Sequence, residues 1–280
     1  MNDEARSLVR RFDVKRMSTT ASERIVDTVA AEEPLSIRLS YWLKESQHTE
    51  SLALTMRTPG HDRELAAGIL VSEGIVRKQE DIVEIRSLGA EPSNEVLLDL
   101  AAWVDVDSWR LRRNSFVGAS CGVCGKRSRE ALLTEVPDTP ADTLQFSMTA
   151  ILSIAENLRS EQAGFAQTGG LHAAALADVS GRIEQTFEDI GRHNALDKLV
   201  GWALLNGRLP LSQSILFLSS RSSFELVQKA AMAGARVLAT VGGPSSLAID
   251  TARELGITLV GFVRTGRINV YAGDWRLQSS

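Results

Sequence analysis

Two cysteines stand three residues apart in Ser120-Cys121-Gly122-Val123-Cys124-Gly125-Lys126, and the 280-residue chain has no others. Glycines on either side let the backbone turn tightly, and Lys126, Arg127 and Arg129 follow directly. Positive neighbours lower a thiol pKa, and the thiolate is the form that attacks sulfur or binds metal. Four uses fit such a pair. A redox dithiol calls for a helix start after a strand, which this Ser- and Gly-flanked loop lacks. A structural zinc needs four ligands, so a Cys₄ site would have to be shared between two chains. A thiolate that accepts and carries a persulfide sulfur needs one nucleophile, an accessible loop and positive neighbours. The fourth use is two inert buried thiols, against which the glycine-rich, charged flanks argue.

Four further segments join strands to helices or turns. Thr168-Gly169-Gly170-Leu171-His172 suits either close backbone approach or a plain tight turn around a half-buried His172. In Glu188-Asp189-Ile190-Gly191-Arg192-His193-Asn194-Ala195-Leu196-Asp197-Lys198, polar residues follow a strand and precede an apolar-periodic helix. In an α/β sheet that junction is where ligands bind, although Asp189 or Asn194 could serve only as caps and His193 only as packing. Ser219-Ser220-Arg221-Ser222-Ser223 and Gly242-Gly243-Pro244-Ser245-Ser246 repeat the arrangement, offering hydroxyls and free N–H groups to an anion. Neither matches a Walker or dinucleotide fingerprint, and N-capping is an alternative use for the serines. Last comes Phe262-Val263-Arg264-Thr265-Gly266-Arg267, where two arginines flank a glycine turn, suited to forked contacts with phosphate or guanine or merely to solvated turn charges.

Apolar periodicity supplies the elements that must position these residues. Residues 1–22, rich in Arg and Lys without a sustained period, predict a loosely held basic arm. Alternation predicts strands over 24–29, 34–42 and 51–56, the last two forming a hairpin with 44–50 as its turn. A helix over 63–75 with Asp62 as N-cap follows, then strands near 82–88 and 95–100. Residues 23–107 thus read as a small α+β unit. Beyond the cysteine loop, a helix over 149–162 precedes a hairpin of 171–176 and 182–187. Helices over 193–205, 223–233 and 245–255 then alternate with strands over 214–218, 237–241 and 258–262, and a short strand over 268–271 closes the chain. That alternation predicts a three-layer α/β/α domain over 108–280, parallel at least in its later part.

Charge and composition exclude several functions. With 31 Lys and Arg against 35 Asp and Glu, the net charge is −4, so no global field holds a nucleic-acid backbone non-specifically. A content of 44% apolar and 24% charged residues is that of a folded globular chain. No window approaches the roughly 18 apolar residues of a membrane span, and the polar start has no leader-like run, so a cytoplasmic location is expected.

The segments above, with Arg57-Thr58-Pro59-Gly60-His61-Asp62-Arg63-Glu64-Leu65-Ala66, Ser72-Glu73-Gly74 and Gly261-Phe262-Val263-Arg264, resemble the FdhD family, the sulfur carriers required for formate dehydrogenase. The likeness runs from about residue 24 to 271. It implies a cytoplasmic sulfurtransferase that receives persulfide sulfur from a cysteine desulfurase. The sulfur passes to the molybdenum cofactor, bis(molybdopterin guanine dinucleotide), before that cofactor enters formate dehydrogenase. By the same resemblance Cys121 holds the persulfide, Cys124 assists, and Phe262 to Arg267 bind the cofactor, with GDP as a mimic of its guanine nucleotide end. It also implies a homodimer and a cytidine-deaminase-like second domain.

That fold relation raises a rival function. Zinc deaminases use His-x-Glu and Pro-Cys-x-x-Cys segments, the Glu moving protons beside the metal. Here Ala174 stands two residues after His172, Ala195 two after His193, and Ser120 precedes Cys121. The expected domain is therefore a deaminase-like frame with no metal, reused for a nucleotide-bearing cofactor. A cofactor chaperone with structural cysteines is the non-enzymatic alternative.

Overall fold

The computed structural model describes residues 8–89, 93–106, 136 and 143–278, so Cys121 and Cys124 lie outside the described residues. Among the described residues β1 (Val9–Met17) and β2 (Ser22–Ala30) pair antiparallel as a two-stranded ribbon. The expectation of a loosely held arm fails for residues 9–17. Pairing with β2, and not a buried face, sets that strand, so it carries no hydrophobic period: most of its residues are exposed, including Arg10, Arg11, Lys15 and Arg16. Arg10 ties the ribbon back to Glu33.

A second sheet contains β3 (Glu33–Leu43), β4 (Ser46–Arg57), β5 (Ile82–Ser87) and β6 (Glu95–Leu100) in the order β4-β3-β6-β5. The β3–β4 turn is Lys44-Glu45, shorter than the 44–50 expected. Residues 46–50 are polar and show no alternation, yet they continue the register from Leu43↔Ser46 to Leu39↔Glu50. Leu35, Ile37, Leu39 and Tyr41 turn inward and pack with Leu65, Ala66 and Leu70 of α1 (Asp62–Ser72). Asp62 is the first helical residue and not the cap. Its carboxylate instead receives the Arg57 guanidinium as a fork, Nε to Oδ1 at 2.7 Å and Nη2 to Oδ2 at 2.8 Å.

The second unit opens with α2 (Met148–Glu161) and α3 (Ala163–Thr168), the latter short and unsignalled by any period. There follow β7 (His172–Ala177), β8 (Ile183–Asp189), α4 (Arg192–Leu205), β9 (Ile215–Leu218), α5 (Phe224–Met232), β10 (Val237–Thr240), α6 (Ser246–Glu254), β11 (Thr258–Arg264) and β12 (Arg267–Ala272). These six strands form one sheet ordered β12-β11-β10-β9-β7-β8. Strands β9, β10 and β11 are mutually parallel, whereas β7 runs antiparallel to β8 and β9, and β12 to β11. Successive side chains point to opposite faces. Ala175, Phe217, Ala239 and Val260 meet Ile151, Ile154 and Leu158 of α2. Leu176, Leu216, Leu238 and Leu259 share the other core with α4, α5 and α6. The chain is a mixed α/β protein in which this part has three layers.

The two units share that second core, which runs on through α1 to the four-stranded sheet. Their junction is a close crossing of α1 over α4 at Gly68 and Gly201. A Cβ added at Gly201 would fall 1.8 Å from the Glu64 carbonyl oxygen, and one at Gly68 would fall 1.8 Å from that of Asp197. Only glycine lets the backbones touch here. No helix among the described residues is long and apolar enough to cross a membrane.

Candidate functional site

Parallel strands β9, β10 and β11 all end at one edge, and their loops are laced together by backbone hydrogen bonds. Gly242 N–H donates to the Ser220 carbonyl at 3.0 Å, Ser245 N–H to Ser222 at 3.0 Å, and Phe262 N–H to Gly242 at 3.0 Å. The result is a continuous ledge with glycines at its centre. A Cβ on Gly242 would lie 2.9 Å from Arg221 Cα, and one on Gly243 would lie 2.5 Å from the tip of the Phe262 ring. The Arg221 backbone and the Phe262 ring therefore close over bare backbone. Phe262 sits at φ 50°, left-handed and disfavoured for a bulky residue by about 1–2 kcal/mol, and is 41% exposed. A register break between Gly261 and Arg264 permits this, after which Arg264 pairs with Arg267 across Thr265-Gly266. The side chains of Arg221, Arg264 and Arg267 are exposed and have no hydrogen-bond or ion-pair partner among the described residues. Such a ledge offers an aromatic face and three free guanidinium groups to an anionic, ring-bearing ligand.

The polar motif at the end of β8 performs a different task from the one its composition suggested. Asp189 is fully buried. Its Oδ2 accepts the Thr58 N–H at 3.1 Å and meets Lys198 Nζ at 2.8 Å, while its Oδ1 accepts the Gly191 N–H at 2.8 Å. Lys198, also fully buried, donates to the Thr58 carbonyl at 2.9 Å, and Asn194 Nδ2 donates to the Met56 carbonyl at 2.8 Å. In return the Ile190 N–H donates to Thr58 Oγ1 at 3.1 Å. Asp189, Asn194 and Lys198 thus fasten the end of β4 to the start of α4. Glu188 accepts the N–H groups of Gly164 and Phe165, both at 2.8 Å, holding the start of α3. Ser245 is a true N-cap, its Oγ accepting from Ala248, whereas the Ser223 hydroxyl donates to Glu225 Oε2 at 2.9 Å.

Arg192 and His193 occupy the first turn of α4, at the sheet edge where β8 and β9 both end. His193 Nε2 lies 3.5 Å from Glu225 Oε2 at the start of α5, so the starts of α4 and α5 meet there. Burial, with Lys229 and Arg192 nearby, pushes the His193 imidazole down to about 4. Burial alone would raise the Glu225 carboxyl, but the Ser223 hydroxyl, His193 and Arg192 hold it below the usual range. Behind them Lys229 clasps Asp197 through both carboxylate oxygens, at 2.8 and 2.7 Å, and Ser72 donates to the same carboxylate at 2.7 Å. Burial nevertheless raises the Asp197 carboxyl. Sequence reasoning missed Glu225 and Lys229, whose only signal was an i,i+4 charge spacing, and it quoted Thr58 only within the 57–66 motif, with no task assigned to it. No three His, Cys, Asp or Glu side chains converge to hold a metal ion among the described residues.

Comparison with known proteins covers nearly the whole chain. A family model described as the FdhD/NarQ family matches residues 30–278. A sulfur carrier protein FdhD from Streptomyces coelicolor is 48% identical over 259 residues, 90% of this chain and 89% of that one. One of the same name from Saccharolobus solfataricus is 37% identical over 269 residues, covering 96% and 98%. Among solved structures, a crystal structure described as a formate dehydrogenase accessory protein from Desulfotalea psychrophila superposes with TM-score 0.77. It shares 25% identity and covers 97% of this chain and all of the other.

Proposed function

The chain belongs to the FdhD/NarQ family, and from that premise we propose that it is a sulfur carrier serving formate dehydrogenase. In this reading it accepts persulfide sulfur from a cysteine desulfurase in the cytoplasm. It hands that sulfur to the molybdenum cofactor, bis(molybdopterin guanine dinucleotide), before the cofactor enters the dehydrogenase. The cofactor is a bound substrate and the chain works as a homodimer. The observation that carries the reading is the ledge of Arg221, Gly242, Gly243 and residues 262–267, which matches the chemistry of a guanine nucleotide: a ring to stack on Phe262, and a pyrophosphate for Arg264 and Arg267.

The sulfur step assigned to Cys121 balances without an external oxidant. Its thiolate attacks the terminal sulfur of the donor persulfide; a new S–S bond forms on Cys121, the donor S–S bond breaks, and the donor cysteine leaves as thiolate. Lys126, Arg127 and Arg129 favour the thiolate form by charge, and Cys124 assists or relays. The overall net charge of −4 restricts anion binding to the local arginines.

Mass spectrometry after incubation with a desulfurase and cysteine tests the carrier role. The Cys121 peptide should gain one sulfur mass, and Cys121→Ala should abolish dehydrogenase maturation while leaving the fold intact. A chain that gains no sulfur is a cofactor chaperone with structural cysteines. Calorimetry tests the ledge: Arg264→Ala with Arg267→Ala should weaken GDP binding, and unchanged affinity moves the site elsewhere.

A further inference from the structure

Arg192 is a motif residue of the β8–α4 junction whose side chain the latch does not use. It is half-buried, yet it has no hydrogen-bond or ion-pair partner among the described residues. A partly desolvated guanidinium is costly without a counter-charge, so its surroundings matter. His172, at the start of β7, pairs across the sheet with Asp189, three residues before Arg192. Ser219 then brings the neighbouring loop to the same corner: its Oγ accepts the Ala173 N–H at 2.8 Å and its own N–H donates to the Ala173 carbonyl at 3.0 Å. Arg221, two residues on, is equally unpartnered. The acids of this corner are committed elsewhere. Asp189 is held by Lys198, Asp197 by Lys229, and Glu225 by Ser223 and His193.

We infer that Arg192, with His172 beside it and Arg221 shared with the ledge, holds a phosphate-class anion in a second subsite, distinct from the contacts of residues 262–267. The subsite rests on the cofactor-binding reading above, because a dinucleotide cofactor with two pyrophosphates needs more than one anion-holding point. A doubly unpaired arginine corner next to the ledge supplies it. The electrostatics of the corner favour an anion: burial and then the Arg192 charge push the His172 imidazole down, against the opposing pull of Asp189, and Arg192 with Lys229 likewise pushes His193 down, against Glu225. An anion seated on Arg192 would cancel that repulsion.

The histidines therefore report occupancy. In the full-length protein, inorganic pyrophosphate should raise the titration midpoint of His172, followed by proton NMR. Arg192→Met should raise the midpoint without any anion and abolish its response. The same variant should bind pyrophosphate about ten- to a hundredfold more weakly, the loss expected for a charge-assisted contact, with Arg192→Lys intermediate. Arg264→Ala with Arg267→Ala should leave the His172 response in place. A His172 midpoint that ignores saturating pyrophosphate, or Arg192→Met binding as tightly as the parent, overturns the subsite. If GDP still binds through the ledge in that case, the broader reading stands. If GDP fails to bind the parent chain while His172 still responds to pyrophosphate, it is the nucleotide reading that falls.

Discussion

Replacing Gly201 by Ala tests whether the two units are locked by backbone contact. The added Cβ would lie 1.8 Å from the Glu64 carbonyl oxygen and 2.6 Å from the Gly68 nitrogen. An ordinary contact begins near 3.4 Å. The obstacle is backbone on both sides, so no rotamer change relieves it, and the helices must separate by about 1.5 Å along that line. A gap of even 0.5–1 Å forfeits a quarter to a half of each dispersion contact, and forced repacking of a close-fitted core costs about 1–3 kcal/mol or more. A gross loss of about 4 kcal/mol, offset by about 1 kcal/mol of helix propensity gained on leaving glycine, leaves about 3 kcal/mol. With a urea dependence of about 3 kcal/mol per molar, the unfolding midpoint should fall by roughly 1 M. Gly68→Ala acts at the same crossing, against the Asp197 carbonyl. Once one substitution has parted the helices the second should cost little, so the double variant should be clearly sub-additive. An unchanged or raised midpoint for Gly201→Ala, or full additivity of the pair, would refute the contact.

Three other outcomes follow from the geometry. Asp189→Asn strips a buried carboxylate from Lys198, and denaturant unfolding should show a loss of about 3–5 kcal/mol; a loss under 1 kcal/mol contradicts the latch. His193 is held neutral, with a folded value of about 4 against an ordinary 6.5, so the unfolded chain binds the extra proton and stability must fall as pH drops between those values. From pH 7 to pH 5 the loss attributable to this group is about 2 kcal/mol, and the drop measured for the parent should shrink by that amount in His193→Gln. Gly243→Ala pushes on the tip of an exposed phenylalanine ring, so stability should change by less than about 1 kcal/mol while GDP affinity falls roughly tenfold through lost stacking; unaltered affinity argues that the ring is not a platform.

Sequence patterns located elements where burial is periodic. The alternation of Leu35, Ile37, Leu39 and Tyr41 was legible because one face of β3 is buried, and the strands after residue 192 were legible as apolar runs because both their faces are. Of the ribbon, β2 was legible over 24–29 but β1 was not, since a strand held by pairing alone leaves both faces wet and carries charges at will. The polar first half of β4 was lost for the same reason. At the site, the loops after β9, β10 and β11 were legible as glycine- and serine-rich junctions. Their lacing was not, because a backbone-to-backbone bond such as that from Phe262 to Gly242 leaves no composition signal.

The residues that looked most chemical in the β8–α4 motif divide by burial, and the division has a consequence for function. Asp189, Asn194 and Lys198 are buried and bonded to Met56 and Thr58 at the end of β4, whereas Arg192, from the same turn of chain, is half-buried with no partner among the described residues, and His193 meets Glu225. One side of the turn is thus fixed by the first unit and the other stands beside the start of α5. Any movement of α1 and β4 must carry the start of α4, and with it Arg192, because Thr58 is bonded on both sides of Gly191: to Asp189 and Ile190 before it, and to Lys198 about two helical turns beyond. The position of the ligand edge therefore depends on the α1–α4 crossing. Gly201→Ala, if it parts those helices, should weaken anion binding at Arg192 more than nucleotide stacking at Phe262, whose support comes from the loops after β9 and β10 and from β11.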